Sequence, residues 1–209
     1  MHRVFVLSPA HSGGGRAQLL LNERAQFDLA RRLRVKAVPI GEVFAFLSGL
    51  YFRGKLAYVK RFAKPPPALP GAFVITTNSG LIDVDTPVDL KKLSAFAKVD
   101  IDENNPSYCR PLLRTSKQIA EQLKDEYEIV LLGSIATGKY VEPLSKVFGE
   151  RLRFPAEFVG RGDMSRGGLM LRCAADNTEL TYISISGAKR HGKVPPKLEP
   201  RRYPKTTAS

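Results

Sequence analysis

Asp163 stands between Arg161 and Arg166 in a nine-residue run, Gly160 to Gly168, that holds four glycines. A carboxylate flanked by two guanidiniums suits the orientation of a water molecule or the stabilisation of an oxocarbenium-like centre; it does not suit general-acid work. The plainer role is a salt-bridged loop in which Asp163 caps a turn. A second run is Ser8-Pro9-Ala10-His11-Ser12-Gly13-Gly14-Gly15-Arg16. Three consecutive glycines are entropically costly and make sense where the backbone approaches a ligand closely. Arg16 would open a helix, where its charge opposes the macrodipole, and a bound anion would remove that conflict. His11 offers acid–base chemistry, with an ordinary surface position as the alternative.

Two more loops complete the set. Gly133-Ser134-Ile135-Ala136-Thr137-Gly138-Lys139-Tyr140 nearly spells the phosphate-binding pattern G-x-x-x-x-G-K-[ST], between an expected strand and an expected helix. Tyr140 replaces the hydroxyl that would hold Mg²⁺, little chain follows, and no later strand ends in aspartate, so a nucleoside-triphosphatase core is not expected. Gly133, Ser134, Thr137, Gly138 and Lys139 then read as a loop whose backbone N–H groups cradle one phosphate, or as a simple strand-to-helix turn. In Asn78-Ser79-Gly80-Leu81-Ile82-Asp83-Val84-Asp85 the Asn78 amide can read a base edge or close an Asx-turn, with Ser79 beside it. Asp83 or Asp85 would orient a water or cap the region of Asp89.

The elements that must position these loops alternate. Strands are expected at Arg3–Leu7, Val35–Ile40, Ala72–Thr77, Ala97–Ile101 and Glu128–Leu132. Helices are expected at Arg16–Arg34, Gly41–Ala63 (one long helix or a pair, with Gly49 and Gly54 as breakers), Asp89–Phe96, Pro111–Lys124 and Lys139–Phe148. Lys64-Pro65-Pro66-Pro67 ends the second of these. Phe158–Gly168 reads as a loop, and Leu169–Ala174 with Leu180–Ile185 as a β-hairpin across an Asp/Asn turn. The expectation is an α/β three-layer sandwich with a mainly parallel central sheet: one domain over residues 1–187, a C-terminal β-hairpin, and a flexible, basic, proline-rich tail over 188–209. In such a sheet the ligand lies outside the carboxyl ends of the strands, which is where the four loops fall.

Charge narrows the partner. The 209 residues carry a net charge of +13, and it is segregated. Residues 1–70 hold 12 basic and 3 acidic side chains, residues 71–187 hold 14 and 16, and residues 188–209 hold 7 and 1. Such a field draws polyanions, so DNA or RNA is the expected partner and its binding should weaken steeply with salt. Tyr51, Phe52 and Tyr58 interleave with Arg53, Lys55, Lys60 and Arg61, a pattern that stacks bases or, at helical spacing, fills a core. Two cysteines and three histidines offer neither a disulfide framework nor a metal cluster, so no disulfide partner, metal or cofactor is expected. No apolar run is long enough to span a bilayer and no leader is apparent, which suggests a cytoplasmic protein without a membrane partner.

Val6-Leu7-Ser8-Pro9-Ala10, then Ser79-Gly80-Leu81-Ile82 with Asp85-Thr86-Pro87 behind a central strand, resembles the layout of the YaaA-type peroxide-stress proteins and of a domain shared with archaeosine synthases. Leu50-Tyr51-Phe52-Arg53-Gly54 with Ala57-Tyr58 is similar to a segment that precedes that strand there. Gly138 to Leu144 stands, in looser form, for a shared Gly-x-x-Tyr-x-x-x-Leu helix. The resemblance covers roughly residues 3–165 and implies a uracil-DNA-glycosylase-like α/β fold. No Gly-Gln-Asp-Pro-Tyr-His-like motif follows the first strand; His11 and the glycines stand there instead. The combined expectation is a nucleic-acid-acting protein that cleaves the N-glycosidic bond of a modified or damaged base. Asp163 or Asp83 would act as the carboxylate, Arg16, Lys139 and Arg166 would hold phosphates, and Asn78 would read the base. The alternatives are a non-catalytic nucleic-acid binder of stress response or DNA modification, and an enzyme on a free nucleotide or phosphorylated metabolite.

Overall fold

The computed structural model describes residues 1–123 and 126–200. In chain order the elements are β1 (His2–Leu7), α1 (Gly15–Leu21), α2 (Asp28–Val35), β2 (Val38–Pro39), α3 (Ile40–Ser48), α4 (Leu50–Phe62), β3 (Ala72–Ile75), β4 (Leu81–Asp83) and β5 (Pro87–Val88). They continue with α5 (Leu90–Phe96), α6 (Pro106–Leu123), β6 (Tyr127–Leu132), α7 (Gly138–Phe148), β7 (Leu152–Pro155), α8 (Asp163–Asp176) and β8 (Tyr182–Ser184). One sheet runs β4-β3-β1-β6-β7-β8 and a small second sheet pairs β2 with β5. The inner strands β3, β1, β6 and β7 are parallel, and β4 and β8 run antiparallel at the edges.

The strand composition explains the layering. β3 and β6 are buried at every residue and β1 from Val4 onward, so both faces of the sheet need cover. Glu128 is the polar exception; it lies opposite Arg3 across the β1–β6 ladder and is ion-paired to it, while Arg3 also reaches Glu179. The β1-to-β3 and β6-to-β7 crossovers travel in opposite directions across the sheet, so right-handed connections put α3 and α4 on one face and α7 on the other. α6 packs on α7, and α8 returns to pack along α4. That last contact is backbone against backbone. A Cβ on Gly54 would lie 2.5 Å from the Gly167 carbonyl oxygen, and one on Gly167 would lie 2.7 Å from Tyr51 Cα.

Several expectations are corrected. Leu169–Ala174 is no hairpin arm but the interior of α8, where Gly167, Met170 and Cys173 form the buried stripe. Its periodicity is helical, and Asn177 at φ 53° ends the helix instead of reversing a strand. Leu180–Ile185 shortens to β8, which pairs with β7. Phe158–Gly168 is a loop only as far as Gly162, because α8 begins at Asp163. Ala97–Ile101 forms no strand. The 16–34 helix divides into α1 and α2, and Arg34 ties down the carbonyls of Asn22, Glu23 and Ala25 between them. Residues 41–63 form a pair, broken at Gly49 with φ 61°. The expected end of the 111–124 helix, Lys124, lies outside the described residues. In the tail, residues 188–200 have no regular structure but lie against the body: Arg190 pairs with Glu142, and Arg172 donates to the Glu199 carbonyl. Residues 201–209 lie outside the described residues. Among the described residues no helix is long and apolar enough to cross a membrane, and no disulfide joins Cys109 and Cys173.

Candidate functional site

β1 and β6 are neighbours, and the chain leaves their carboxyl ends in opposite directions across the sheet. That is the topological switch point of a doubly wound sheet, where the two diverging loops leave a crevice. The loops are Ser8–Gly14 and Gly133–Thr137. A cavity of about 320 Å³ opens there, lined by Ser8, Pro9, Ala10 and His11 after β1, Tyr51 of α4, Ser134, Lys139 and Tyr140 around the start of α7, and Asp163 of α8. A second hollow of about 360 Å³ shares Pro9, Ala10, His11, Lys139 and Tyr140 and is closed by Thr77, Phe96, Val99 and Ile101. His11 and Lys139 border both. A hollow of about 470 Å³ elsewhere, between α7 and β8, sets Glu142 and Glu150 beside Arg190 and lacks the convergence of strand-end loops.

Against Ser8, which lines the cavity, lies a group that the sequence shows only as one of several basic residues interleaved with aromatics. Lys55 projects from α4 into the core at 1% exposure, and no carboxylate pairs with it among the described residues. Its Nζ donates to the Ser8 carbonyl at 2.9 Å and lies 2.7 Å from Ser8 Oγ. It also lies 3.9 Å from the Tyr51 ring centroid, a cation–π contact. Desolvation lowers its pKa to about 7; the Asp163 charge opposes that fall and Arg166 adds to it. Tyr51 is pushed up to about 12, chiefly by burial, and therefore stays a proton donor. Its hydroxyl is buried and finds no hydrogen-bond partner among the described residues; Ser8 and Arg166 are near enough to influence it without reaching bonding geometry. Gly133 backs the serine, and a Cβ there would come within 3.0 Å of Ser8 Cβ.

The expected site residues divide. His11, Ser134, Lys139 and Asp163 line the cavity. Gly13 and Gly14 leave room for the His11 ring, since a Cβ on Gly14 would sit 3.1 Å from Nδ1. Gly15 opens α1, and Thr137 is the N-cap of α7, with Gly138 as its first residue. A Cβ on Gly138 would meet Glu103 Oε1 at 2.8 Å, the end of a flexible side chain that can swing aside. Asp163 pairs with Arg166 at 3.5 Å but not with Arg161. Arg161 binds the Glu157 carbonyl and Ser165 Oγ, so the carboxylate has one guanidinium beside it and not two. Arg166 is also spent internally, on the Phe158 carbonyl and over the Phe158 ring.

The remaining candidates lie elsewhere or serve the fold. Arg16 donates to the Phe46 carbonyl at 3.2 Å, at the C-terminal end of α3. The helix-dipole conflict expected of Arg16 is thus relieved by another helix's carbonyls. Asn78 donates to the Ala95 carbonyl and accepts from Ser79 Oγ, which anchors the loop after β3 to α5. Asp83 pairs with Phe73, two residues back from the carboxyl end of β3, and accepts from the Asp85 N–H as an Asx-turn. Phe52 and Tyr58 are core; Tyr58 meets Tyr182 hydroxyl to hydroxyl at 2.6 Å. Arg3, Arg32, Arg34, Lys55 and Arg61 likewise have internal partners. Arg24, Arg31, Lys36, Lys60 and Lys64 stay exposed in the basic first third. Among the described residues no group of histidine, cysteine and acidic side chains is placed to hold a metal.

No family model matches the chain, and no curated protein or solved structure matches it either.

Proposed function

We propose that the protein acts on nucleic acid, seating one nucleotide unit in the switch-point cavity and cleaving its N-glycosidic bond. The observation that carries this reading is the convergence of His11, Lys139 and Asp163 on one cavity at the carboxyl edge of the sheet. Its volume falls at the lower end of ordinary ligand pockets and suits a single extruded nucleoside. Lys139, at the first turn of α7, would meet the phosphate. Asp163, exposed on the rim, would orient water toward the anomeric carbon and stabilise the cationic sugar. The exposed cations of the first third supply long-range attraction, and the resemblance to the peroxide-stress proteins points the same way.

The test is release of free base from DNA and RNA carrying a panel of modified or damaged bases, read by liquid chromatography and mass spectrometry. The wild-type protein should release one class of base, and Asp163→Asn should slow release by about 10²- to 10⁴-fold. Full activity in Asp163→Asn refutes the assigned role. Anisotropy titrations showing no salt-dependent binding to single-stranded DNA, duplex DNA or RNA refute the nucleic-acid partner itself. The Gly133–Lys139 loop favours a second reading, an enzyme on a free nucleotide; saturable mononucleotide binding without polymer binding is its signature.

A further inference from the structure

We propose that Ser8 is a nucleophile of the switch-point cavity, that Lys55 is the base which takes its proton, and that the group attacked is a phosphodiester. The proposal goes beyond the N-glycosidic reading and rests on it only in taking the diester to be that of a nucleic acid.

Independent observations converge. Ser8 sits at the end of β1 and lines the cavity, and Lys55 Nζ is 2.7 Å from its Oγ. The second contact, 2.9 Å to the Ser8 carbonyl, fixes the direction of the amine. A neutral amine has one lone pair: donating to the carbonyl leaves it free to accept from Oγ–H, which is the geometry of a general base. The lysine is buried without a paired carboxylate among the described residues, a costly arrangement that a packing role does not require. The Tyr51 hydroxyl, buried and unpartnered beside this pair, is a donor awaiting an acceptor such as a phosphoryl oxygen. Gly133 lets the β6 loop pass within van der Waals reach of Ser8, so the serine is held from behind. Lys139 and His11 on the cavity wall are the groups a diester would meet. The charged and titratable groups facing Lys55 are Tyr51 on its own helix and Asp163 and Arg166 on α8.

Ser8 Oγ forms a bond to phosphorus and its proton passes to Lys55. The bond from phosphorus to the leaving oxygen breaks, and that oxygen takes a proton from His11. Water then adds to the phosphoserine and gives a proton to His11. The bond from phosphorus to Oγ breaks, and Ser8 recovers its proton from Lys55. One water is consumed, and Ser8, Lys55 and His11 are regenerated.

The experiment is incubation of the full chain with an alkyl fluorophosphonate between pH 6 and 9, followed by intact-mass and peptide mapping, with bis(p-nitrophenyl) phosphate as turnover probe. Expected are a single adduct on Ser8, formed with loss of fluoride at a rate that rises through about pH 7, no adduct in Ser8→Ala, and labelling at least about 100-fold slower in Lys55→Met. Absence of the adduct in folded wild-type protein, or equal labelling in a folded Lys55→Met, overturns the pair. Should Lys55→Met fail to fold, Ser8→Cys decides. Its thiol should be alkylated by iodoacetamide at pH 7 faster than Cys109, whose pKa burial raises, and slower alkylation overturns the proposal. Labelling of Ser8 without hydrolysis of bis(p-nitrophenyl) phosphate overturns the diester assignment. Failure of base release with Ser8 labelling intact removes the N-glycosidic reading alone.

Discussion

Replacing Lys55 with methionine should change how stability depends on pH, and the size of the change follows from burial. In the unfolded chain a lysine releases its proton near 10.5, whereas the buried amine does so near 7. Between those values the unfolded state binds more protons than the folded state, so stability rises with pH. Below pH 7 both states are protonated and the folded protein bears the full cost of the buried charge; above 10.5 both are neutral and the cost is gone. Each pH unit inside the window is worth about 1.4 kcal/mol, so the whole effect approaches about 5 kcal/mol, of which about 2 kcal/mol falls between pH 7 and 9. The variant lacks this rise. It also leaves the Ser8 carbonyl without its donor, which costs about 1–3 kcal/mol, but that offset does not vary with pH. The assay is urea unfolding followed by far-ultraviolet circular dichroism, since the chain has no tryptophan, for both proteins at pH 7, 8 and 9. Subtracting the two curves cancels groups common to both. A difference that stays flat from pH 7 to 9 would show that Lys55 keeps its charge when folded, and would refute the argument that burial deprotonates it.

Other outcomes follow from the same geometry. Gly167→Ala should destabilise by about 1–3 kcal/mol or more, because its Cβ would meet the α4 backbone at 2.7 Å. Gly168→Ala, 3.5 Å from the Leu198 side chain, should be near neutral, and thermal melts of the two compare them directly. Gly160→Ala would place a Cβ 2.1 Å from the Lys193 carbonyl oxygen at a φ of 73°, so it should release the tail and hasten tryptic cleavage at Lys193. Arg16→Ala should cost about 0.5–1 kcal/mol through the end of α3 and leave the salt slope of nucleic-acid binding unchanged; a shallower slope would restore Arg16 to phosphate contact. Asp83→Asn should leave base release untouched, and a drop of tenfold would contradict its place away from the carboxyl edge of the sheet.

What was legible in the chain is what local pattern encodes. Short continuous apolar runs such as Ile129–Leu132, bounded by turn residues, read as inner strands, and their alternation with helices points to the layered α/β class. Glycine-rich stretches after strand ends marked loops 8–16 and 133–140, and both border the cavity. One further signal was readable: Tyr51, Lys55, Tyr58 and Phe62 form a single helical stripe, and a lysine within an otherwise aromatic stripe is a buried charge in need of a reason. Other outcomes depended on neighbours that no local window contains. The period of Leu169–Ala174 is helical, but where α8 docks turned on α4 offering Gly54 as a seat for Gly167. Arg16, Asn78 and Arg161 look like ligand-binding residues by type, but carbonyls at Phe46, Ala95 and Glu157 took their hydrogen bonds. The contact of Ser8 with Lys55 spans 47 residues and exists because folding brings α4 beside the carboxyl end of β1. Sequence determines which side chains can do chemistry; the packing of distant backbones decides which are left free to do it, and which are buried far enough for their proton affinity to change.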